Sequence, residues 1–230
     1  DGAVQTTERD EFIYHEMISH VALNSHPDPQ EVLIIGGGDG GTLREVLRHP
    51  EIKRVDMVEI DERVVEVCKK YLPDIASGFG DPRARVFFED GIKFVKRTSQ
   101  RYDLIIIDSS DPIGPAVELF GPEFYSDSSA ILKEDGMMVA QAESPTFFSS
   151  YLQKVWRNMK SNFPISHIYL TSVPTYVSGF WAFGIGSKRH DPRASRGDKP
   201  KLNGLKYYTK EIHRAAFAIP PFVHSILDEE

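Results

Sequence analysis

The chain has 230 residues, of which 40% are hydrophobic and 27% are charged, and its formal net charge is −7. This composition is typical of a globular protein; the acidic excess argues against a nucleic-acid partner and is compatible either with a cationic ligand or with solubility alone. The single cysteine, Cys68, excludes a disulfide within this sequence and favours a cytoplasmic location, and we expect neither a membrane span nor a signal peptide.

Apolar runs of strand length alternate with amphipathic stretches of helix length. The predicted strands are, in chain order, 31–35, 54–60, 84–88, 102–108, 136–141, 165–170 and 180–187. Runs that are apolar on both faces are typical of a parallel sheet covered by helices. The alternation therefore predicts an α/β fold with a mostly parallel sheet, an antiparallel strand at its C-terminal end, and helices on both faces.

Two of the predicted helices have a clear apolar stripe. The first is capped by Asp61, and its stripe contains Val64, Val65, Cys68, Tyr71 and Leu72. The second has its stripe at Phe148, Leu152, Val155 and Met159. We expect both stripes to pack into the core.

The chain is predicted to form a single catalytic domain, 1–230. Residues 1–30 would form an entry segment and a helix, 31–187 a Rossmann-like core, and 188–230 an exposed excursion followed by a helix.

Acidic residues follow several predicted strands at the point where each strand ends. Glu59, Asp90, Asp108 and Glu143 all occupy such positions. Ligands of parallel sheets bind beyond the carboxyl ends of the strands, so these groups are predicted to gather at one binding crevice.

The first strand runs into a glycine-rich turn that contains an acid. Gly36, Gly38 and Gly41 fit G-x-G-x-x-G, and Glu59 lies about twenty residues on, which suits either a dinucleotide or an S-adenosylmethionine enzyme. Asp39 would repel a pyrophosphate by roughly 3 kcal/mol at ~5 Å and an effective dielectric constant of ~20. It therefore favours a nucleoside ligand that ends in a cation, although an aspartate that only satisfies turn N–H groups stays an alternative.

The segment DSSDP, at 108–112, follows the most apolar predicted strand. Asp108 and Asp111 could together hold a polyamine and accept a proton from it. The alternative is a pair of turn-forming acids.

Together these segments identify the chain as a member of the polyamine aminopropyltransferases, the spermidine synthase family of bacterial type. The resemblance rests on DGAVQTTERDEFIYHEM, GGGDGGTLREVL, VEID, DPRARVFFEDG, DLIIIDSSDPIGPA, LKEDG, PTYVSGFW and GSKRHDP, which span nearly the whole chain in order. It implies a Rossmann-like sheet of the S-adenosylmethionine-methyltransferase type. It also implies transfer of an aminopropyl group from decarboxylated S-adenosylmethionine to putrescine, giving spermidine and 5′-methylthioadenosine.

The resemblance also assigns residues. Asp108 would be the proton acceptor, and the amine-binding residues would be Tyr14, His15, Asp39, Asp108, Ser109, Ser110, Asp111 and Tyr176. The nucleoside donor would be bound by Gly36, Asp39, Glu59, Asp90, Gly91, Ser109 and Pro115. If neutral, His15 could accept a hydrogen bond from an amine; a surface histidine unrelated to the site stays an alternative. No metal and no tightly bound cofactor are expected; the partners would be a small cationic amine and further copies of the chain in a homodimer or larger homo-oligomer.

The sequence departs from the family pattern in three ways. It lacks the N-terminal β-rich segment that the family carries, so we expect a fragment with reduced donor affinity and assembly. Val177 and Thr146 replace residues common in the family and would reshape the acceptor pocket. Agmatine, cadaverine or spermidine remain alternative acceptors, and a methyltransferase, an NAD-linked dehydrogenase and a non-catalytic polyamine-binding protein remain alternative functions.

Overall fold

A seven-stranded β-sheet organises the part of the chain, residues 2–195 and 202–228, that this computed structural model describes. The strands are β1 (Glu31–Gly36), β2 (Arg54–Glu59), β3 (Ala84–Phe88), β4 (Tyr102–Asp108), β5 (Leu132–Gln141), β6 (Ile165–Ser172) and β7 (Phe180–Ser187). Their order in the sheet is β3-β2-β1-β4-β5-β7-β6. All neighbouring pairs are parallel except those of β7, which runs antiparallel to both β5 and β6. The predicted methyltransferase-type sheet and its antiparallel strand are confirmed.

Helices cover both faces of this sheet. They are α1 (Glu11–Ser25), α2 (Gly41–Leu47), α3 (Glu62–Tyr71), α4 (Gly91–Arg97), α5 (Pro122–Ala130), α6 (Ser149–Asn162), α7 (Lys210–Ala216) and α8 (Pro221–Asp228), with 3-10 turns at Ile75–Gly80 and Gly114–Phe120. One core cluster joins the sheet to α1, α2 and α7, and a second joins its other face to α4, α5, α6 and α8.

The central strands supply side chains to both clusters. Along β1, Val32 and Ile34 belong to the first cluster and Leu33 and Ile35 to the second, and all four are buried. Successive side chains of a strand point to opposite faces, so a strand covered on both faces must be apolar throughout. This explains why strand-length apolar runs predicted the sheet.

The order in which the chain adds strands to the sheet reverses at β1: β2 and β3 lie on one side of it, and β4 lies on the other. Such a switch leaves a crevice at the carboxyl ends of the strands. In the register of the sheet, Gly36 at the end of β1 pairs with Asp108 at the end of β4. The glycine turn and the acidic strand ends therefore meet at one edge.

Some predicted core positions are wrong. In α3, Val65 and Cys68 are buried, but Val64 is 41% exposed and Tyr71 is 63% exposed. Phe148 precedes α6 and is 41% exposed, whereas Leu152, Val155 and Met159 are buried as predicted. Val64 and Phe148 instead line the crevice.

The C-terminal region is more closely packed than the predicted exposed excursion. The carboxylate of Glu16 accepts hydrogen bonds from the backbone N–H groups of Lys206, Tyr207 and Tyr208, which ties this region to α1. Residues 196–201 of the excursion lie outside the described residues. That the three predicted segments form a single domain stays a prediction.

Within the described ranges, no helix combines the length and apolar character that crossing a bilayer would need.

Candidate active site

A cavity of about 920 Å³ opens at the carboxyl ends of the parallel strands. Its walls come from the glycine turn after β1, the ends of β2, β4 and β5, the start of α4, and the segment 2–6 before α1. The predicted site residues that line it are Tyr14, His15, Gly36, Asp39, Glu59, Asp90, Gly91, Asp108, Ser109, Ser110, Asp111 and Tyr176. The backbone of Pro115 lies in the 3-10 turn Gly114–Phe120, and its side chain is outside the described part.

The glycine turn fits tightly against the end of β4. Gly36 has a φ of 83°, and a Cβ at this position would come within 2.2 Å of the Asp108 carbonyl oxygen. The N–H of Gly37 donates a 2.8 Å hydrogen bond to the same carbonyl. Only glycine combines this left-handed conformation with so close an approach. The turn thereby fixes the backbone from which the Asp108 side chain enters the cavity.

Asp108 is held by two hydroxyl groups. The Tyr14 hydroxyl donates to its Oδ1 at 2.7 Å, and the Thr42 hydroxyl donates to its Oδ2 at 2.6 Å. Burial raises the pKa of Asp108 above its usual range; the Asp39 carboxylate adds to this effect, while His15 and the two hydroxyls oppose it. A rigid carboxylate with a raised pKa is suited to accept a proton.

The carboxylate of Asp39 faces the ring of His15 at the cavity wall. Asp39 Oδ1 accepts the N–H of Gly41 at 2.9 Å, and its Oδ2 lies 3.3 Å from His15 Nε2. Burial would raise the pKa of Asp39, but His15 and the Gly41 N–H lower it. Both interpretations of Asp39 in the sequence therefore find a structural basis: it satisfies a turn N–H, and it presents a carboxylate to the cavity.

His15 lies between two carboxylates. Its Nδ1 lies 2.5 Å from Glu11 Oε2, so that each ring nitrogen faces a carboxylate. Burial would lower the pKa of His15, but Asp39 and Glu11 raise it to about 10. A carboxylate at each ring nitrogen favours the doubly protonated imidazolium, which donates through both nitrogens. Acceptance of a hydrogen bond from an amine, which requires a neutral ring, is not favoured by this arrangement.

Two further acids, Glu59 and Asp90, line the cavity. Glu59, at the end of β2, accepts the N–H of Asp61 at 3.0 Å, and burial raises its pKa. Asp90 caps α4 by accepting the N–H groups of Ile92 and Lys93. Asp90 is thus an N-cap, and it lines the cavity as well.

Glu143 is a site residue to which the sequence analysis gave no role beyond its place at a strand end. It is fully buried, has the unusual φ of 66°, and lines the cavity. Its Oε1 accepts a 3.2 Å hydrogen bond from the Gln141 amide, while Oε2 has no hydrogen-bond partner among the described residues. Burial, reinforced by Asp111, raises its pKa to about 7.

Aromatic side chains form part of the cavity wall. The rings of Tyr14 and Tyr176 lie 5.8 Å apart, and those of Tyr176 and Trp181 lie 4.5 Å apart, measured between centroids. The Tyr176 hydroxyl donates to the Gln5 carbonyl at 2.9 Å, so the segment before α1 closes against this wall. The sequence analysis missed Trp181 and Gln5, because neither stands at the end of a parallel strand.

Comparisons with known proteins agree with this geometry. A family model described as "Spermine/spermidine synthase domain" matches residues 11–195. A polyamine aminopropyltransferase of Moorella thermoacetica is 52% identical over 99% of this chain and 81% of its own length. One from Bacillus mycoides is 48% identical over 99% of this chain and 82% of its own length.

Solved structures give the same result. A spermidine synthase crystallised with the transition-state analogue AdoDATO matches with a TM-score of 0.93 and 44% identity, over 99% of this chain and 79% of that one. The spermidine synthase of Thermotoga maritima matches with a TM-score of 0.92 and 43% identity, over 99% and 78% of the two chains. The chain therefore belongs to the spermine/spermidine synthase family of polyamine aminopropyltransferases, which are transferases.

Proposed function

We propose that this aminopropyltransferase moves the aminopropyl group of decarboxylated S-adenosylmethionine to putrescine, giving spermidine and 5′-methylthioadenosine. The observation that carries the proposal is the position of Asp108. Its carboxylate lies in a cavity that is lined by further acids, among them Asp39, Glu59, Asp90, Asp111 and Glu143. Two cationic substrates would meet among these acids, next to a carboxylate able to accept a proton.

The nucleoside donor is assigned to the side of the glycine turn. Glu59 would accept hydrogen bonds from the ribose hydroxyls, and Asp90 with Gly91 would bind the adenine. Asp39 would attract the amine at the end of the aminopropyl chain, where an ordinary S-adenosylmethionine carries a carboxylate as well. Gly36, Ser109 and Pro115 complete the proposed donor side.

The amine acceptor is assigned to the side of Tyr176. Tyr14 and Tyr176 would enclose its methylene chain, and Asp111 with Ser110 would bind its amine groups. Glu143 extends this proposal: its Oε2, which has no hydrogen-bond partner in the described part of the chain, is buried at the cavity wall and would accept a hydrogen bond from the distal ammonium. His15 would hold Asp39 in place and would not accept a hydrogen bond from the amine substrate.

The proposed reaction is a single displacement. The amine nitrogen attacks the methylene carbon next to the sulfonium, the carbon–sulfur bond breaks, and its electron pair stays on sulfur as a neutral thioether. A free alkylamine resembles a lysine, with a pKa near ~10.4, so it arrives protonated and must lose a proton before it attacks. Asp108 would accept this proton, and the cavity walls would align the two substrates. The positive sulfonium activates the carbon itself, so the proposal assigns neither a metal nor a tightly bound cofactor.

Product analysis tests this proposal. The protein would be incubated with decarboxylated S-adenosylmethionine and, in separate reactions, with putrescine, agmatine, cadaverine or spermidine, and the products would be identified by mass spectrometry. We expect spermidine and 5′-methylthioadenosine in equal amounts with putrescine. A larger yield with another amine would reassign the acceptor, methyl transfer from intact S-adenosylmethionine would indicate a methyltransferase, and binding without product would indicate a binding protein.

A homodimer or larger homo-oligomer and a cytoplasmic location remain proposals that follow from the family.

A further inference from the structure

A chain of alternating charges runs from α2 to the cavity. Arg44 Nη2 lies 2.8 Å from Glu11 Oε2, which lies 2.5 Å from His15 Nδ1, and His15 Nε2 lies 3.3 Å from Asp39 Oδ2. The side chains of Glu11 and His15 are 6% and 5% exposed, whereas that of Asp39 is 16% exposed and reaches the cavity. Asp39, the proposed contact of the donor, is therefore the cavity-facing end of a largely buried ionic network.

Each member of this network is held in its charged form by its neighbours. Burial would raise the pKa of Glu11, but His15 and Arg44 lower it. Arg44 is shared, since its Nε lies 2.8 Å from Glu45 Oε1. The other groups facing His15 are the Tyr14 ring, which meets it edge-on at 5.4 Å, and the Asp108 carboxylate, which contributes to its raised pKa.

A cationic His15 is a difficulty for a site that binds cations. An imidazolium next to Asp39 cancels the charge of that carboxylate and would repel a donor that carries both a sulfonium and an ammonium. Glu11 removes the difficulty because it adds a compensating negative charge on the far side of the ring. The hydrogen bond from His15 to Asp39 is then kept without a net positive charge beside the donor.

We propose that Glu11 is a positioning residue of the reaction, which acts through His15 to orient Asp39 and to compensate the charge of the imidazolium beside the bound donor. The proposal rests on the donor-binding role proposed for Asp39. Glu11 does not line the cavity and would not touch either substrate.

The substitution Glu11→Gln removes the negative charge of this side chain and nearly keeps its shape. Without the Glu11 carboxylate, the pKa of His15 falls from about 10. Below its new pKa, His15 is an uncompensated cation, and we expect the donor KM to rise at least about tenfold, a lower bound for one unit charge a few ångströms from a charged ligand near a protein surface. Above it, a neutral ring still donates from Nε2 to Asp39, so the donor KM should return toward that of the wild type. The kcat at saturating donor should change little.

Two measurements test the inference. In the free protein, the ¹⁵N shifts of His15, assigned with a His15→Asn variant, are followed from pH 6 to pH 10. With the donor, KM and kcat are determined at pH 6.5 and pH 9. The control is Glu16→Gln, which removes another buried carboxylate from α1, one that anchors the C-terminal region rather than His15.

The inference predicts that in Glu11→Gln His15 titrates at a lower pH and the donor KM rises more at pH 6.5 than at pH 9, whereas Glu16→Gln shows neither effect. An unshifted His15 titration, a donor KM that follows the wild type at both pH values, or an equal pH-independent increase in both variants would overturn it. A wild-type protein that binds no donor would overturn the proposed function and the donor role of Glu11. The NMR titration of the free protein would still decide separately whether Glu11 sets the charge of His15.

Discussion

The hydroxyl of Tyr14, on α1, donates a 2.7 Å hydrogen bond to the carboxylate of Asp108, at the end of β4. The two residues are 94 positions apart in the chain, and their contact joins the helix that precedes the sheet to its most apolar strand. It stabilises the ionised form of a buried carboxylate that would otherwise bind a proton more tightly. The protonation state of Asp108 before the reaction thus depends on Tyr14.

Tyr14→Phe should shift the acidic limb of the pH–rate profile to higher pH. The Tyr14 hydroxyl lowers the pKa of Asp108, so its loss raises that pKa, and a larger fraction of the enzyme has a protonated Asp108 at a given pH. A hydrogen bond to a charged group is worth about 1.5–3 kcal/mol, which predicts a shift of the acidic limb by about one to two pH units and a fall in kcat that grows as the pH is lowered. The kcat should be measured from pH 6 to pH 10. An acidic limb at the wild-type position would show that Tyr14 only lines the cavity.

Glu143→Gln should weaken binding of the acceptor and leave the donor KM unchanged. The pKa of Glu143 is raised to about 7, so this carboxyl is neutral below that pH and attracts an ammonium above it. In the wild type, the acceptor KM should therefore fall as the pH rises through 7. In the variant this fall should be lost, and the acceptor KM at pH 8.5 should be about tenfold higher. Glu66→Gln, at an exposed position on α3, is the control; an equal change in both variants would contradict the role of Glu143.

Asp39→Asn should reduce discrimination between the two forms of S-adenosylmethionine. The carboxylate of Asp39 attracts the donor amine and repels the carboxylate of the intact molecule, so the wild type should bind the decarboxylated form more tightly. Because His15 partly cancels this charge, we expect a preference of about tenfold to a hundredfold rather than the full unscreened effect. Calorimetric titration with both ligands measures the ratio of the two Kd values. Equal binding of both ligands by the wild type would refute the charge argument for Asp39.

Gly41→Ala should disturb His15 without changing any charge. A Cβ at Gly41 would come within 2.3 Å of His15 Cε1 and Nδ1, so the ring has to move away from Asp39. Overpacking of this kind destabilises a protein by about 1–3 kcal/mol, and we expect a higher donor KM as well. Gly80→Ala is the matched control, since its Cβ would meet nothing within 4 Å. Denaturant unfolding of both variants measures the difference, and similar stabilities would contradict the predicted clash.

The sequence predicted the sheet and the location of the site for a common reason. Strands buried on both faces must be apolar throughout, and their carboxyl ends meet at one edge, so Glu59, Asp90 and Asp108 could be assigned to one crevice before any contact was known. The contacts that connect distant segments were not predictable in this way. The charge of His15 depends on Glu11, one helical turn away, and on Asp39, from a separate turn.

Glu143 shows a second limit of prediction from the sequence. Its place at the end of β5 marked it as one of the acidic strand ends, but its importance depends on complete burial, a φ of 66° and an oxygen without a hydrogen-bond partner among the described residues. None of these properties follows from local pattern. Val64 and Phe148 were predicted as core residues for a related reason: a helical stripe indicates which face is apolar, not whether protein or a cavity covers it.

The central claim is that Asp108 accepts the proton of the attacking amine in an aminopropyl transfer, and Asp108→Asn tests it most directly. The variant keeps the size of the side chain and removes its ability to take up a proton at neutral pH. The kcat for spermidine formation should be measured with the donor Kd determined in parallel. The account predicts a fall in kcat of roughly 10²–10⁴-fold with a donor Kd within a few fold of the wild type. An unchanged kcat would contradict it.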